Sequence, residues 1–178
     1  SMDIIVDRAG FYICWGCLVW VPAIYTSPVM FMVKHPVGLP LWAAALIFTA
    51  GLASIFINYW ADWQRQSVRS TNGETKIWGK APVLIHADYT TETGEKKKNL
   101  LLASGFWGIS SHFHYVPELA AAFFWSCATG FGYLMPFFYF LFLCVLLTHR
   151  SFRDEVKCSK KYGEYWQQYR KLVPYKII

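Results

Sequence analysis

A chain of 178 residues that is 55% hydrophobic, 19% aromatic and only 16% charged falls well below the roughly 25% charge of soluble domains and reads as a membrane protein. Its net charge of +6 raises nucleic acid as a partner. Apart from Arg8 and Lys34, however, every lysine and arginine falls in residues 61–99 or 149–178, and two basic blocks divided by apolar spans follow the positive-inside pattern instead.

Residues 9–33 are apolar and exceed the about 20 residues needed to cross a bilayer, with Pro22 and Pro28 predicting kinks rather than a straight rod. Cys14 and Cys17 lie within this run, in "FYICWGCLVWV". With no second pair nearby they read as small residues on a membrane helix; five cysteines make no disulfide framework. Lys34, His35 and Pro36 mark a turn, and 37–60 forms a second span with Trp60 and Trp63 at interface positions. Residues 61–99 make a polar cytosolic loop. In it the helix continues into water, stops at Asn72-Gly73, and gives way to a β-hairpin around Thr93-Gly94. Residues 100–116, carrying His112 and His114, read as an interfacial or re-entrant segment. Residues 117–148, interrupted by Gly130, Gly132 and Pro136, suit two short helices or one broken one. The expected fold is an all-α polytopic membrane protein with about four spans, a re-entrant or interfacial segment and a small cytosolic β-hairpin. An even number of crossings puts both basic blocks, including the tail 149–178, on the cytosolic face.

That tail is patterned. In "LLTHRSFRDEVKCSKKYGEYWQQY", Arg150, Asp154, Cys158 and Tyr162 recur every four residues and share one helix face. Gly163 is a natural C′ residue, and a second short helix carries Tyr165, Trp166 and Tyr169. Arg65 and Arg69, also four apart, stand at the polar end of the second span. Arginine forks beside aromatic rings suit a phosphorylated aromatic ligand; they also suit lipid headgroups. The carboxylate of Asp154 favours the first reading, because a lipid anchor gains nothing from it. His112 and His114 lack further metal ligands in sequence and read as hydrogen-bonding groups. There is no Gly-rich phosphate loop or G-x-G-x-x-G, so a nucleotide has to be held without a Rossmann domain.

The spacing H-R-x-x-R-D-x-x-x-C-x-x-K-Y-G-x-x-W-x-x-Y in the tail, with "GFYICWGCLVWVPAIYT", "TNGETKIWGKAP", "LLLASGFWGISSHFHYVPE" and "VPYKII", resembles the sterol reductases of the endoplasmic reticulum. That family includes delta-14 and delta-7 enzymes and the membrane region of the lamin B receptor, and the delta-7 branch is the nearest. The resemblance runs over essentially the whole chain and implies its C-terminal, cofactor-binding part, about 40% of such a protein. It implies NADPH as cofactor and a sterol as substrate in an endoplasmic reticulum membrane, with self-association or other sterol-pathway enzymes as partners. It sets Arg65 and Arg69 at the adenosine phosphate end. Leu102, Trp107, His114 and Tyr115 line the cofactor, and Arg150, Asp154, Cys158, Lys161, Tyr162 and Tyr169 complete the site. His114 stands where animal members often carry Asn. The implied reaction reduces a sterol ring double bond, with hydride to one carbon and a proton to the other; Tyr12, Tyr25 and Asp7 are proton-source candidates. The alternatives are a membrane methyltransferase of the isoprenylcysteine carboxyl type, which lacks this tail spacing, and a non-catalytic protein like the lamin B receptor.

Overall fold

The computed structural model describes residues 10–91 and 94–177, which divide into two compact units, 10–51 with 122–143 and 52–121 with 144–177. Asp7 and Thr93 lie outside the described residues, and Tyr12 is described by its backbone alone. The fold is mostly helical, with one small antiparallel sheet.

In the first unit, α1 (Gly10–Trp15) runs into a π-helical stretch, Gly16–Tyr25, followed by α2 (Ser27–Lys34). Pro22 has no amide to donate, and the helix reopens at Thr26, whose amide reaches five residues back to the Val21 carbonyl at 3.3 Å. The two pieces are bent by 40° there. Pro28 enters in the first turn of α2, where a missing amide costs nothing. The predicted kinks are thus present, concentrated at one break. Aromatic packing holds this unit: Tyr25 stacks with Trp125 at 6.3 Å and meets Tyr139 edge-on at 5.0 Å, and Phe123 lies 5.3 Å from Phe140.

Helix α3, Leu41–Ser70, follows Pro40, whose carbonyl accepts from Ala43 and Ala44 at 3.0 Å. Leu46, Phe48, Ile55 and Phe56 on it are exposed, as lipid-facing residues are. It ends as expected at Asn72-Gly73: the Gly73 amide reaches back to the Val68 carbonyl at 2.8 Å, with both residues at positive φ.

The second unit adds the predicted hairpin, β1 (Leu84–Thr90) against β2 (Lys96–Leu102), in a register pairing Ala87 with Asn99. A short α4 (Phe106–Ile109) and a turn at 111–114 stand where an interfacial segment was expected, before α5 (Tyr115–Cys127). A break containing Gly130 and a 3₁₀ turn at Met135–Phe137 lead into α6 (Phe138–Tyr162), and then α7 (Glu164–Leu172). The apolar region 117–148 is therefore two helices. The second is long, because it continues without interruption into the polar tail. Gly163, at φ +54, breaks α6 from α7.

Among the described residues two helices are long and apolar enough to cross a membrane, Leu41–Ser70 and Met135–Tyr162; the bent pair Gly16–Tyr25 and Ser27–Lys34 makes a third if it acts as one span. A fourth is not established: α5, with 13 residues, reaches only about 20 Å against a hydrocarbon core of about 30 Å.

Two cores build the second unit. In one, Ala87 and Leu101 of the hairpin pack on Tyr162, Trp166, Tyr169 and Val173. In the other, Val68, Ile77 and Leu102 pack on Trp107. Alternation explains the hairpin's share: β1 buries Ala87 between exposed neighbours, so its other face stays in water.

Candidate functional site

The second core fixes the floor of the site. Trp107 is buried, and its indole N–H donates to the Ala61 carbonyl at 2.8 Å. The Arg65 guanidinium, one turn further along α3, lies over the Trp107 ring at 4.5 Å. Just upstream, Gly105 adopts φ +64, which lets the Phe106 amide donate to the buried Gln64 side-chain oxygen at 3.1 Å. Gln64 thus ties α3 to α4 while its neighbour Arg65 covers the tryptophan.

The wall is the turn at 111–114, and the C-terminal residues hold it. The Ser111 and His112 amides donate to the Tyr175 and Lys176 carbonyls at 3.1 and 3.0 Å. This strap is clamped in turn by Arg170, which donates to the carbonyls of Val173, Pro174 and Tyr175 at 3.1, 2.6 and 3.3 Å. Glu155 of α6 accepts from the Trp166 indole at 2.9 Å and pairs with Arg170 at 3.6 Å and Lys176 at 4.0 Å. On the inner side of the turn the His114 ring lies 5.1 Å from Trp107 and 4.4 Å from Tyr115, while His112 stacks on Tyr115 at 5.0 Å. His112 Nε2 stands 3.6 Å from the Asp154 carboxylate, and its Nδ1 meets the Ser111 hydroxyl at 3.2 Å.

The electrostatics follow from this packing. Burial first, then the positive charges of Arg65, His112 and Arg150, push the His114 pKa down to about 3, so the imidazole is neutral at physiological pH. Its Nδ1 is buried with no hydrogen-bond partner among the described residues. His112 is also lowered by burial, against the pull of Asp154. Burial raises Tyr115 to about 12, with its hydrogen bond to Asp154 acting in the same direction and Arg150 opposing. Tyr169 likewise rises to about 12, chiefly by burial. Both phenols keep their protons.

Of the residues singled out in sequence, Arg65, Trp107, His114, Tyr115, Arg150 and Asp154 form one electrostatically linked cluster. Tyr169 joins it by donating to the Trp107 carbonyl at 3.3 Å, and Leu102 backs Trp107 in the core. Cys158 and Tyr162 instead belong to the neighbouring core, where the Tyr162 hydroxyl accepts from the Asn99 amide at 2.7 Å. The Lys161 ammonium lies over the rings of Tyr89 and Tyr162 at 4.0 and 5.0 Å. Arg69 is exposed at the end of α3. Of the three proton-source candidates, Tyr25 alone has a described side chain; it is 44% exposed in the first unit. Gln64, Glu155 and Arg170 carry no local sequence signal for these roles, and nothing in the sequence points to Asp154 as the partner of His112. Glu155 was visible as the second acid of "RDE", but nothing local indicates that it closes a clamp on residues up to 21 positions away. Among the described residues no three His, Cys, Asp or Glu side chains gather as a metal site.

A pH effect follows. The His114 pKa is about 3 in the fold against 6.5 ordinarily. Its neutral form therefore contributes stability that is complete above about pH 6.5 and is lost as pH falls towards 3. His114→Asn is expected to show a smaller drop in melting temperature between pH 7 and pH 5 than the unmodified chain, as read by intrinsic fluorescence. An equal drop would mean that the imidazole is not buried as described.

The chain matches the Ergosterol biosynthesis ERG4/ERG24 family over residues 1–178. It is 54% identical over 178 residues to the 7-dehydrocholesterol reductase of Arabidopsis thaliana, with 100% of this chain and 41% of that protein aligned. It is 39% identical to the 7-dehydrocholesterol reductase of Xenopus laevis over 100% of this chain and 38% of that protein. A Delta(14)-sterol reductase of Methylotuvimicrobium alcaliphilum is 37% identical over 100% of this chain and 40% of its own length. The chain thus spans about two fifths of the length of these curated relatives. Because the family match spans residues 1–178 and so takes in both cores and the linked cluster, the chain belongs to the ergosterol biosynthesis ERG4/ERG24 family.

Proposed function

We propose that this chain forms the NADPH-binding part of a sterol reductase of the endoplasmic reticulum membrane, with its basic blocks on the cytosolic side, and that the reaction removes the delta-7 double bond of a sterol ring. The names of the relatives at 54% and 39% identity support the reaction. The observation that carries the cofactor reading is the linked cluster itself. A guanidinium lies over Trp107 and a second, Arg69, stands one turn away; the cluster also holds a buried His114 Nδ1 with no partner among the described residues, and the Asp154 carboxylate. Those features fit a phosphorylated, aromatic, hydroxyl-bearing ligand: forked donors for phosphate, a flat face for a ring, and acceptors for hydroxyl or amide protons.

When bound, NADPH supplies the hydride. The chain's own residues do the rest. Arg65 and Arg69 hold the phosphate end. His114, held neutral by burial first and by the neighbouring arginines, would offer the cofactor a hydrogen bond without adding charge. Asp154 holds a ribose or amide group and at the same time fixes Tyr115 and His112. Leu102, Trp107 and Tyr169 are the rigid backing, and Cys158, Lys161 and Tyr162, in and over the neighbouring core, support Tyr169 from behind. Holding cofactor and alkene in register supplies roughly 7–11 kcal/mol of the barrier lowering. The proton for the second carbon is assigned to Tyr25, Tyr12 or Asp7. Family membership sets aside the methyltransferase alternative; turnover separates the enzyme from a non-catalytic relative.

The test is to express the full-length parent protein in cells that accumulate delta-5,7 sterols and to profile their sterols. Appearance of the delta-5 product is expected. An unchanged profile, with the protein present in the membrane, would overturn the reading.

A further inference from the structure

Helix α6 has a second built face. At about 100° per residue, Arg150, Asp154, Cys158 and Tyr162 point to one side; Phe152, Val156 and His149 lie across the helix from them, and Arg153 and Lys157 flank those three, with Lys157 only about 20° from the line of Arg150. Together His149, Phe152, Arg153, Val156 and Lys157 form a strip that lines an open depression of about 380 Å³, which continues along the helix past Cys144, Val145 and Thr148. Its character changes along its length. Val145, Phe152 and Val156 are exposed to 71, 56 and 55% and make the floor apolar. No cation lines it before His149; beyond that point Arg153 and Lys157 supply positive charge and alternate with Phe152 and Val156, and no carboxylate is among the residues lining it. A further cation, Lys176, sits over the Phe152 ring at 4.9 Å, its charge shared with Glu155.

We propose that this strip seats one anionic phospholipid of the bilayer, with its acyl chain along the apolar half and its phosphate between Arg153 and Lys157. Two observations carry it. Cations join the strip only on the polar-tail side, after Cys144, Val145 and Thr148, and this is the order of an amphiphile entering from the membrane. The run from Cys144 to Lys157 rises about 20 Å, the depth of one leaflet with its headgroups. A neutral sterol, whose single polar group is a hydroxyl, leaves the cations without a counter-charge.

The test uses the whole chain in neutral detergent, with phosphatidylserine and phosphatidylcholine titrated in and the bound lipid counted by native mass spectrometry. Each basic residue near an anionic surface is worth about fivefold in affinity, so the double variant Arg153→Gln/Lys157→Gln is expected to bind phosphatidylserine about 25-fold more weakly. Phe152→Ala should weaken both lipids. The control Lys96→Gln/Lys97→Gln removes the same charge from the exposed start of β2 and should leave binding within about twofold. Three outcomes would overturn the proposal: undiminished phosphatidylserine binding in the α6 variant, an equal loss in the β2 control, or displacement of phosphatidylserine by an equimolar neutral sterol.

Discussion

Gly105→Val is expected to destabilise the second unit by about 4 kcal/mol, the sum of backbone strain and overpacking at one position. At φ +64 and ψ −141, Gly105 occupies a conformation that side chains rarely adopt. A Cβ there falls 2.4 Å from the Gln64 side-chain oxygen and 2.6 Å from an Ile77 methyl. Neither neighbour can yield cheaply. Gln64 is buried and accepts the Phe106 amide, and Ile77 packs on Trp107. Moving Gln64 releases α4 from α3 and removes the surface under Arg65. Against a total stability of about 5–15 kcal/mol, the melting temperature in detergent should fall by more than about 15 °C. A shift of less than about 3 °C would show that the α3–α4 junction is looser than described.

Asp154→Asn is expected to leave the fold intact while reducing turnover of the full-length parent by about two orders of magnitude, the usual cost of losing one preorganised polar group in an active site. Asparagine keeps the size of the side chain. It removes the charge that faces His112 at 3.6 Å and holds the Tyr115 hydroxyl. Asp154 is only half-buried, so the melting temperature should move by less than about 4 °C. The informative readout is the split between the two effects. Parallel losses of activity and folded protein, with normal turnover per folded molecule, would make the carboxylate structural.

Local chemistry explains which parts of the molecule could be read from sequence. Asn72-Gly73 and Gly163 announce helix ends through positive φ. Pro22 announces a helix defect, and the polar run flanking Gly94 announces a hairpin; each signal acts within a few residues. Arg65/Arg69 and Arg150/Asp154 were legible as helix faces because a repeat of four fixes a side of a helix. The clamp was not legible. Glu155, Arg170 and Lys176 meet only after Gly163 turns α7 back along the end of α6, and the strap they hold reaches Ser111 and His112 from more than sixty residues away. The C-terminal end of α6 was legible, because the repeat of four from Arg150 to Tyr162 stops at Gly163; its start at Phe138 was not, since Gly130, Gly132 and Pro136 left the division of the apolar region open. His114 could be read as a hydrogen-bonding group, whereas its neutrality depends first on burial and then on two arginines from different helices.

In the proposed function the cluster around Arg65 reads the phosphorylated end of NADPH. Binding of NADPH and of NADH to the full-length parent should be compared by calorimetry before and after Arg65→Ala and Arg69→Ala. The 2′-phosphate is the only difference between the two ligands, and a charge-assisted hydrogen bond is worth roughly 1.5–3 kcal/mol. Each substitution should therefore weaken NADPH by about 10- to 150-fold and leave NADH within about threefold. Equal losses for both cofactors, or no loss for either in a protein that remains folded, would contradict it.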